Sequence, residues 1–172
     1  MPRALASGNY TLTLQIPPST SLPLSLLFVT PIARTFEPPD AGQPIGARFL
    51  EAGELFAAEV PAHARAGEAI TIRLIWRATR ETDRAYKVFV HVVDAQGNYI
   101  SGSDSEPVNW SRPTTSWVEG EYILDEHTLN APPTEGVYTA RVGLYATDNG
   151  ERLPLANGET FITLPQHIQV KP

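Results

Sequence analysis

The fold is decided by the stretch Ala69-Ile70-Thr71-Ile72-Arg73-Leu74-Ile75-Trp76-Arg77. In an extended chain its alternate residues Ile70, Ile72, Leu74 and Trp76 share one side, and Thr71, Arg73 and Arg77 share the other. A period of two residues is typical of a β-strand with one buried face and one solvated face. The stretch therefore predicts a strand that packs against a second layer.

A second stretch, Lys87–Val93, has apolar residues on both of its alternating faces, with His91 between Phe89 and Val93. This pattern predicts a central strand that is covered on both sides. Turn sequences follow at Asp94–Asn98 and at Asp148–Gly150. They predict two hairpins, the first leading into Tyr99-Ile100 and the second joining Arg141–Ala146 to Arg152–Leu155.

The other segments are also typical of short strands joined by turns. Strands are predicted at Leu55–Val60, Gly120–Leu129 and Phe161–Val170, and Tyr138 just inside a late strand predicts a tyrosine corner. No ten-residue stretch has helical periodicity, and the 16 prolines in 172 residues disfavour long helices. The expected fold class is all-β, an immunoglobulin-like antiparallel β-sandwich with an extra N-terminal pair of strands.

The N-terminal segment suggests a repeat. Gly8-Asn9-Tyr10-Thr11, followed by alternating residues to Ile16, resembles Gly136-Val137-Tyr138-Thr139. We expect N-terminal strands in residues 1–33, a Pro-rich linker in 34–44 and the β-sandwich domain in 45–172. The first 33 residues are either the tail of an upstream repeat or strands of this sandwich. An orphaned hairpin has open edges, which favours docking on the main domain or self-association with a second chain.

Composition excludes several classes of function. The formal net charge is −6 and the pI is about 5.2, which opposes general attraction to nucleic acid. The chain has no cysteine, so disulfides and thiolate chemistry are excluded. The longest apolar run, Leu22–Val29, is too short to span a bilayer, and the first residues do not lead into a signal peptide. We expect no direct membrane insertion of this segment.

The candidate binding site lies in the irregular segment Asp104–Glu119, which holds two of the three tryptophans. Aromatic faces can stack on sugar rings while polar groups hold the hydroxyls. The predicted ligand-binding residues are Trp110, Trp117, Arg112, Asn109 and Asp104. The alternative is that this segment folds over the outer face at Phe89, His91 and Val93, with the tryptophans as packing anchors.

Candidate metal and catalytic residues give weaker signals. His91 and Asp104, with Asp125 and His127 on one strand face, could in principle ligate a metal, but they lack the spacing of known metal motifs. A hydrogen-bonded structural cluster is the preferred interpretation. Neither a nucleophile elbow nor a phosphate loop is present. We therefore predict no metal, no cofactor, no catalytic residue and no enzyme activity; a cleft that held His91, Asp104 and Asp125 together would favour a hydrolase instead.

Four motifs carry a resemblance to a known module: Lys87–Asp94, Arg112–Glu121, Asp125–His127 and Gly136–Tyr145. In their order the chain, over residues 32–171, resembles the extracytoplasmic β-sandwich at the C-terminus of bacterial multi-pass membrane proteins related to the family 39 glycosyltransferases. Residues 8–30 resemble the tail of a preceding copy. A looser similarity is to the sandwich domains that bind O-antigen polysaccharide in exporter ATPases. The resemblance implies carbohydrate as a partner, but assigns no residue a role.

Two functions from different classes follow. The first is a non-catalytic accessory module of a cell-envelope protein that binds glycan or glycolipid weakly. The second is a structural spacer or assembly module without a ligand. The resemblance implies an extracytoplasmic location as part of a larger membrane protein, and the sequence itself leaves a cytoplasmic location open.

Overall fold

The computed structural model describes residues 8–16, 20–29 and 32–172, and it contains two compact units, Met1–Arg34 and Thr35–Pro172. In the first unit, β1 (Gly8–Ile16) and β2 (Thr20–Val29) form an antiparallel pair. The predicted N-terminal segment also includes residues 1–7, 17–19 and 30–31, which lie outside the described residues. Whether this unit is the tail of an upstream repeat stays a prediction.

The second unit is built from nine strands. They are β3 (Gln43–Phe49), β4 (Gly53–Glu59), β5 (His63–Arg65), β6 (Ala69–Ala78), β7 (Tyr86–Val93), β8 (Tyr99–Ser105), β9 (Tyr122–Asn130), β10 (Gly136–Ala146) and β11 (Ile162–Lys171). Most of them are joined by short turns, with longer connections between β8 and β9 and between β10 and β11. One sheet has four strands in the order β3-β4-β6-β9, and the other has five in the order β5-β11-β10-β7-β8. Pairing within them is antiparallel except between β11 and β5.

The two sheets enclose one hydrophobic core. The alternate residues that predicted β6 point inward, and Trp76 is among the largest fully buried side chains. Among the described residues the regular structure is strand, apart from a single 3-10 turn at Thr114–Ser116. The predicted all-β sandwich is therefore confirmed. The described part of the chain holds no helix that is long and apolar enough to cross a lipid bilayer.

Most predicted strands lie where the sequence placed them, but β3 is an exception. Its inward residues Ala47 and Phe49 are buried, whereas its first half contains Pro44 and the bulge residue Gly46, which has φ of +70°. Proline and a left-handed glycine interrupt the alternation that predicts a strand. Both are tolerated because β3 is an edge strand that pairs only with β4.

Two smaller expectations can be compared with the structure. The tyrosine corner is confirmed, since the Tyr138 hydroxyl donates to the Thr134 carbonyl oxygen at 3.1 Å. The second predicted hairpin is reduced to an isolated bridge between Tyr145 and Arg152.

The pairing of the two Gly-x-Tyr-Thr segments also begins alike. Gly8 lies opposite Val29, Gly136 lies opposite Val170, and an irregularity follows within five residues in each pair. The likeness that the sequence suggested thus extends to the backbone register.

One flank of the sandwich is closed by side-chain hydrogen bonds between the edge strands β8 and β9, which belong to different sheets. The Ser101 hydroxyl donates to the Asn130 carbonyl oxygen at 2.8 Å, and Ser103 Oγ lies 3.3 Å from His127 Nδ1. These contacts fix the position of β9, whose outer face borders the candidate site.

Candidate functional site

The five residues predicted to bind a ligand occupy three separate places. Asn109 and Trp110 lie in the turn after β8, where Asn109 lines a groove on the outer face of the four-stranded sheet. Arg112 and Trp117 are withdrawn into the structure. Asp104 lies on β8, on the outer face of the five-stranded sheet. The structure therefore brings only Asn109 and Trp110 to one exposed place.

The turn that carries these two residues has an uncommon backbone. Val108, Asn109 and Trp110 have φ of 54°, 48° and 66°, so three successive non-glycine residues are left-handed. A left-handed backbone conformation costs about 1–2 kcal/mol for each such residue, and it is rarest for β-branched residues such as valine. Strain of this kind persists only where the surroundings hold it, and it is concentrated at functional sites. We call residues 108–110 the left-handed turn.

Backbone hydrogen bonds hold the left-handed turn from within. Trp110 N–H donates to the Glu106 carbonyl oxygen, and Arg112 N–H donates to that of Pro107, both at 3.1 Å. The Ser111 hydroxyl and amide both donate to the Val108 carbonyl oxygen, at 2.7 and 3.1 Å. Hydrogen bonds within residues 106–112 therefore close the turn on itself.

Asp125 of β9 anchors the left-handed turn from below. Its carboxylate is fully buried and accepts from the Val108 amide at 2.7 Å and from the Trp76 indole N–H at 3.3 Å. His127 Nε2 lies 3.0 Å from the same carboxylate, and the other ring nitrogen faces Ser103. When Nε2 donates to Asp125, Nδ1 accepts from Ser103. The strained turn is thus tied to a hydrogen-bonded network inside the core.

The β9 groove lies beside this turn. It has a volume of about 420 Å³ and is lined by Val108, Asn109, Leu124, Glu126 and Thr128. The last three alternate along β9 with buried residues, so they face outward. Leu124 is 54% exposed and Trp110, next in the chain after Asn109, is 53% exposed. An apolar side chain, an amide, a hydroxyl and a carboxylate therefore line the groove, and the exposed Trp110 belongs to the turn that forms one of its walls.

Trp117 has a different role, because its side chain is fully buried. Its ring centroid lies 6.2 Å from that of Trp76, and its indole N–H donates to the Arg112 carbonyl oxygen at 3.0 Å. Gly53 leaves room for it, since a Cβ there would lie 3.2 Å from the Trp117 ring and 2.7 Å from the Arg77 carbonyl oxygen. In this structure Trp117 packs in the core and offers no face to a ligand.

Arg112 is paired with a buried carboxylate. The Arg112 guanidinium contacts Glu121, which is fully buried, and the second Glu121 oxygen accepts from the Val118 amide at 3.2 Å. The pair joins the beginning and the end of the segment that carries Trp117. A charge that is paired and enclosed in this way serves the fold of the segment.

On the outer face of the five-stranded sheet, Asp104 lies beside His91, and the His91 ring is one of a row of rings. His91 Nε2 lies 3.2 Å from Asp104 Oδ1, and the His91 ring lies 4.7 Å from the Phe89 ring and 5.0 Å from the Tyr99 ring. The Arg152 guanidinium covers Phe89 at 4.7 Å. Arg152, and not a tryptophan as the alternative interpretation of the tryptophan segment expected, thus covers Phe89 on this face. The other part of that alternative, a tryptophan as a packing anchor, holds for Trp117.

The histidine–carboxylate residues do not meet in one site. His91 and Asp104 lie on an outer face, whereas Asp125 and His127 lie inside the core. Within residues 8–16, 20–29 and 32–172 no group of three histidines or carboxylates is arranged to hold a metal ion. The preferred interpretation, a hydrogen-bonded structural cluster, applies to Asp125 and His127. The convergence that would favour a hydrolase is not seen among these three residues.

A larger hollow of about 690 Å³ lies elsewhere on the four-stranded sheet. Its lining includes Arg48, Arg77, Glu54 and Glu119 but no aromatic side chain, and Arg77 pairs with Glu54 at 3.9 Å. We base the functional proposal on the β9 groove because the left-handed turn, which carries the exposed Trp110, contributes Val108 and Asn109 to its lining.

Sequence reasoning missed Leu124, Glu126 and Thr128. Their alternation with Ile123, Asp125 and His127 is visible in the sequence, and it places them on the outer face of a strand. The position of this face beside Asn109 depends on the left-handed turn, for which Asn109 alone gives a signal, since asparagine tolerates positive φ.

Two tyrosines should make the fold sensitive to alkaline pH. Burial, and then the neighbouring charge of Asp104, raises the pKa of Tyr145; burial and a hydrogen bond to Glu51 raise the pKa of Tyr86. The folded state therefore holds these protons more tightly than the unfolded state, whose tyrosine pKa is about 10. The contribution to stability is complete below about pH 10 and is lost as pH rises through the folded-state pKa values.

We expect the free energy of unfolding in urea to stay constant up to about pH 10 and to fall as the pH rises further. Tyr145→Phe should make this fall smaller, because phenylalanine cannot ionise. An equal fall in the variant would contradict the assignment of the effect to Tyr145.

Comparisons with known proteins give the following result. No protein-family model matches the chain. No curated protein matches it either. Among solved structures it is similar to the crystal structure of the C-terminal domain of Wzt, with 13% identity, a TM-score of 0.47, and coverage of 77% of this chain and 77% of that chain. The module family expected from the sequence is not identified by these comparisons, and no residue's role is transferred from them.

Proposed function

We propose that the chain is a non-catalytic accessory module that binds glycan weakly at Trp110 and the β9 groove. The observation that carries the proposal is the left-handed turn, which has a strained backbone and leaves the large indole of Trp110 exposed. Large aromatic side chains are usually well buried, so an exposed tryptophan held by a rigid turn needs a reason. An extracytoplasmic location in a cell-envelope protein is part of the proposal and rests on the sequence resemblance alone.

The chemistry around Trp110 suits a sugar. An aromatic face offers apolar area to the C–H groups of a sugar ring. Polar side chains around the binding site then orient the sugar hydroxyls. Asn109, Glu126 and Thr128 provide an amide, a carboxylate and a hydroxyl in the β9 groove. The shallow, open groove is consistent with weak binding. A structural spacer or assembly module remains the second candidate. The burial of Trp117 favours it, because only one of the two tryptophans predicted to bind a ligand is exposed.

The three tryptophans allow a selective measurement. Trp76 and Trp117 are fully buried and Trp110 is exposed, so iodide should quench Trp110 fluorescence almost alone. We expect a binding glycan to protect this component from quenching. Trp110→Phe should remove the quenchable component, which identifies its source.

Affinity provides the second readout. We expect Trp110→Ala to weaken glycan binding by about tenfold or more, which corresponds to about 1.4 kcal/mol. Tyr99→Ala is the matched control, since Tyr99 is also exposed but lies on the five-stranded sheet. Unchanged quenching with every envelope glycan tested, together with equal behaviour of Trp110→Ala and wild type, would overturn glycan binding at this site and favour the spacer.

A further inference from the structure

Three hollows lie side by side, two on the outer face of the four-stranded sheet and a third at its β3 edge, where Gln166 of β11 in the other sheet also contributes to the lining. The β9 groove comes first. A second hollow of about 240 Å³ is lined by Glu59, Val60, Pro61, Thr71 and Arg73. A third of about 220 Å³ is lined by Gly42, Gln43, Ala58, Glu59, Val60 and Gln166. The second and third share Glu59 and Val60, so they form one continuous depression.

The first and second hollows are joined by bonds between their lining residues. Arg73 of β6 donates to Glu126 of β9 at 2.7 Å, and the Thr71 and Thr128 hydroxyls are 3.1 Å apart. Arg73 also reaches Glu59 of β4 at 3.2 Å. These residues are direct cross-strand neighbours in the pairing of β9, β6 and β4. We call Thr71, Arg73, Glu59, Glu126 and Thr128 the cross-strand row.

The row gives the surface a length and a direction. Neighbouring strands are about 4.8 Å apart, so the distance from β9 across β6 and β4 to β3 is about 14 Å. The series of hollows therefore runs perpendicular to the strands, from the β9 groove, across the Arg73–Glu126 and Thr71–Thr128 contacts, toward Gln43 and Gln166, whose side chains meet at 3.5 Å. A ligand that followed it would be elongated and several sugar units long.

The row also favours a particular charge. One guanidinium faces two carboxylates, so Arg73, Glu59 and Glu126 together carry excess negative charge. An anionic polysaccharide would meet repulsion here, whereas the hydroxyls of a neutral sugar can both donate to the carboxylates and accept from Arg73. Exposed ion pairs of this kind contribute little to stability, so a ligand can compete for their hydrogen bonds at low cost.

We infer, on the basis of the proposed function, that the ligand is an internal stretch of an uncharged linear polysaccharide that lies across the four-stranded sheet from Trp110 to Gln43. Trp110 and the β9 groove hold one sugar unit, and the cross-strand row holds the units that follow. The module would then bind along a chain and not only at its end.

Titration calorimetry with neutral oligosaccharides of increasing length tests this inference. The probes are β-linked gluco- and α-linked manno-oligosaccharides as disaccharide, tetrasaccharide and hexasaccharide, with an oligogalacturonate hexasaccharide as the anionic comparison. We expect affinity for one neutral series to rise about tenfold or more from disaccharide to hexasaccharide. The anionic probe should bind more weakly than the neutral hexasaccharide.

Variants separate the inference from the proposed function. Arg73→Ala should weaken binding of the hexasaccharide more than binding of the disaccharide and so reduce the gain in affinity with length, whereas Trp110→Ala should weaken binding of every length by a similar factor. Arg65→Ala is the matched control, because Arg65 is exposed on β5 of the other sheet. Arg73 is about half exposed, so its removal should leave the folded state intact, which a thermal melt checks.

Each outcome decides a point. Equal affinity for disaccharide and hexasaccharide, with binding still dependent on Trp110, would overturn the extended site and leave the proposed function standing. Stronger binding of the anionic probe would overturn the neutral ligand class. Absence of binding by all of these probes, with Trp110 quenching unchanged, would count against both the proposed function and the inference.

Discussion

Replacing Asp125 with alanine should lower the free energy of unfolding by about 3–5 kcal/mol. The buried carboxylate accepts from the Val108 amide and the Trp76 indole, and it lies within hydrogen-bond distance of His127. Each buried donor that loses its partner costs about 1–3 kcal/mol. A domain of this size is stable by about 5–15 kcal/mol in total, so the variant should be close to unfolding.

Chemical denaturation measures this effect, with Asp125→Asn as the matched control. Asparagine keeps the shape and one acceptor oxygen, but its amide group would face the donors, so we expect a smaller loss. The midpoint of unfolding should move while its denaturant dependence stays constant. A loss below about 1 kcal/mol for alanine would contradict the network as an anchor of the fold.

The same substitution should act on the candidate site. Without its anchor at Val108, the left-handed turn has less to hold its strained backbone, so Trp110 should lose its fixed position. We expect glycan protection from iodide quenching to disappear in Asp125→Ala under conditions where the variant is still folded. Unchanged protection in a folded variant would show that the turn does not need Asp125.

The second large effect is expected at the buried ion pair. Glu121→Ala leaves the Arg112 guanidinium, which is only 13% exposed, without its partner, and it removes the acceptor of the Val118 amide. Loss of one member of a buried pair typically costs about 3–5 kcal/mol. We therefore expect a strongly lowered midpoint of thermal and urea unfolding.

A double variant separates the pair from its surroundings. In Arg112→Met with Glu121→Gln, the unpaired charge is gone and the glutamine oxygen can still accept from Val118. This combination should recover at least half of the stability lost in Glu121→Ala, because an uncharged replacement avoids the desolvation cost. Failure of the double variant to exceed Glu121→Ala would contradict an unpaired charge as the cause.

The strands were predictable where both neighbours and both faces impose regular alternation. β6 and β7 have partners on each side; β6 shows the alternation of a strand with one buried face, and β7 shows the apolar residues on both faces that are typical of a covered central strand. β3 was not predicted because Pro44 and Gly46 interrupt its alternation. An edge strand tolerates both residues, since only one of its sides forms backbone hydrogen bonds with a neighbouring strand.

The candidate site was less predictable than the fold. Trp110 and Trp117 have similar polar neighbours in the sequence, yet one is exposed and the other is fully buried. The difference arises from the left-handed turn and from the room left at Gly53, and both depend on residues distant in the chain. Likewise, Arg112 was predicted at the site because Glu121 could not be recognised as its partner from spacing alone.

The side-chain seam between β8 and β9 has a consequence for solubility. Exposed strand edges are templates for aggregation, and on this flank Ser101 and Ser103 tie β8 to β9, which hinders the approach of a further strand. On the opposite flank, β5 is only three residues long and β3 is interrupted by its bulge. Both are poor templates for strand addition. Residues 35–172 thus combine an open sandwich topology with edges that discourage the growth of fibrils.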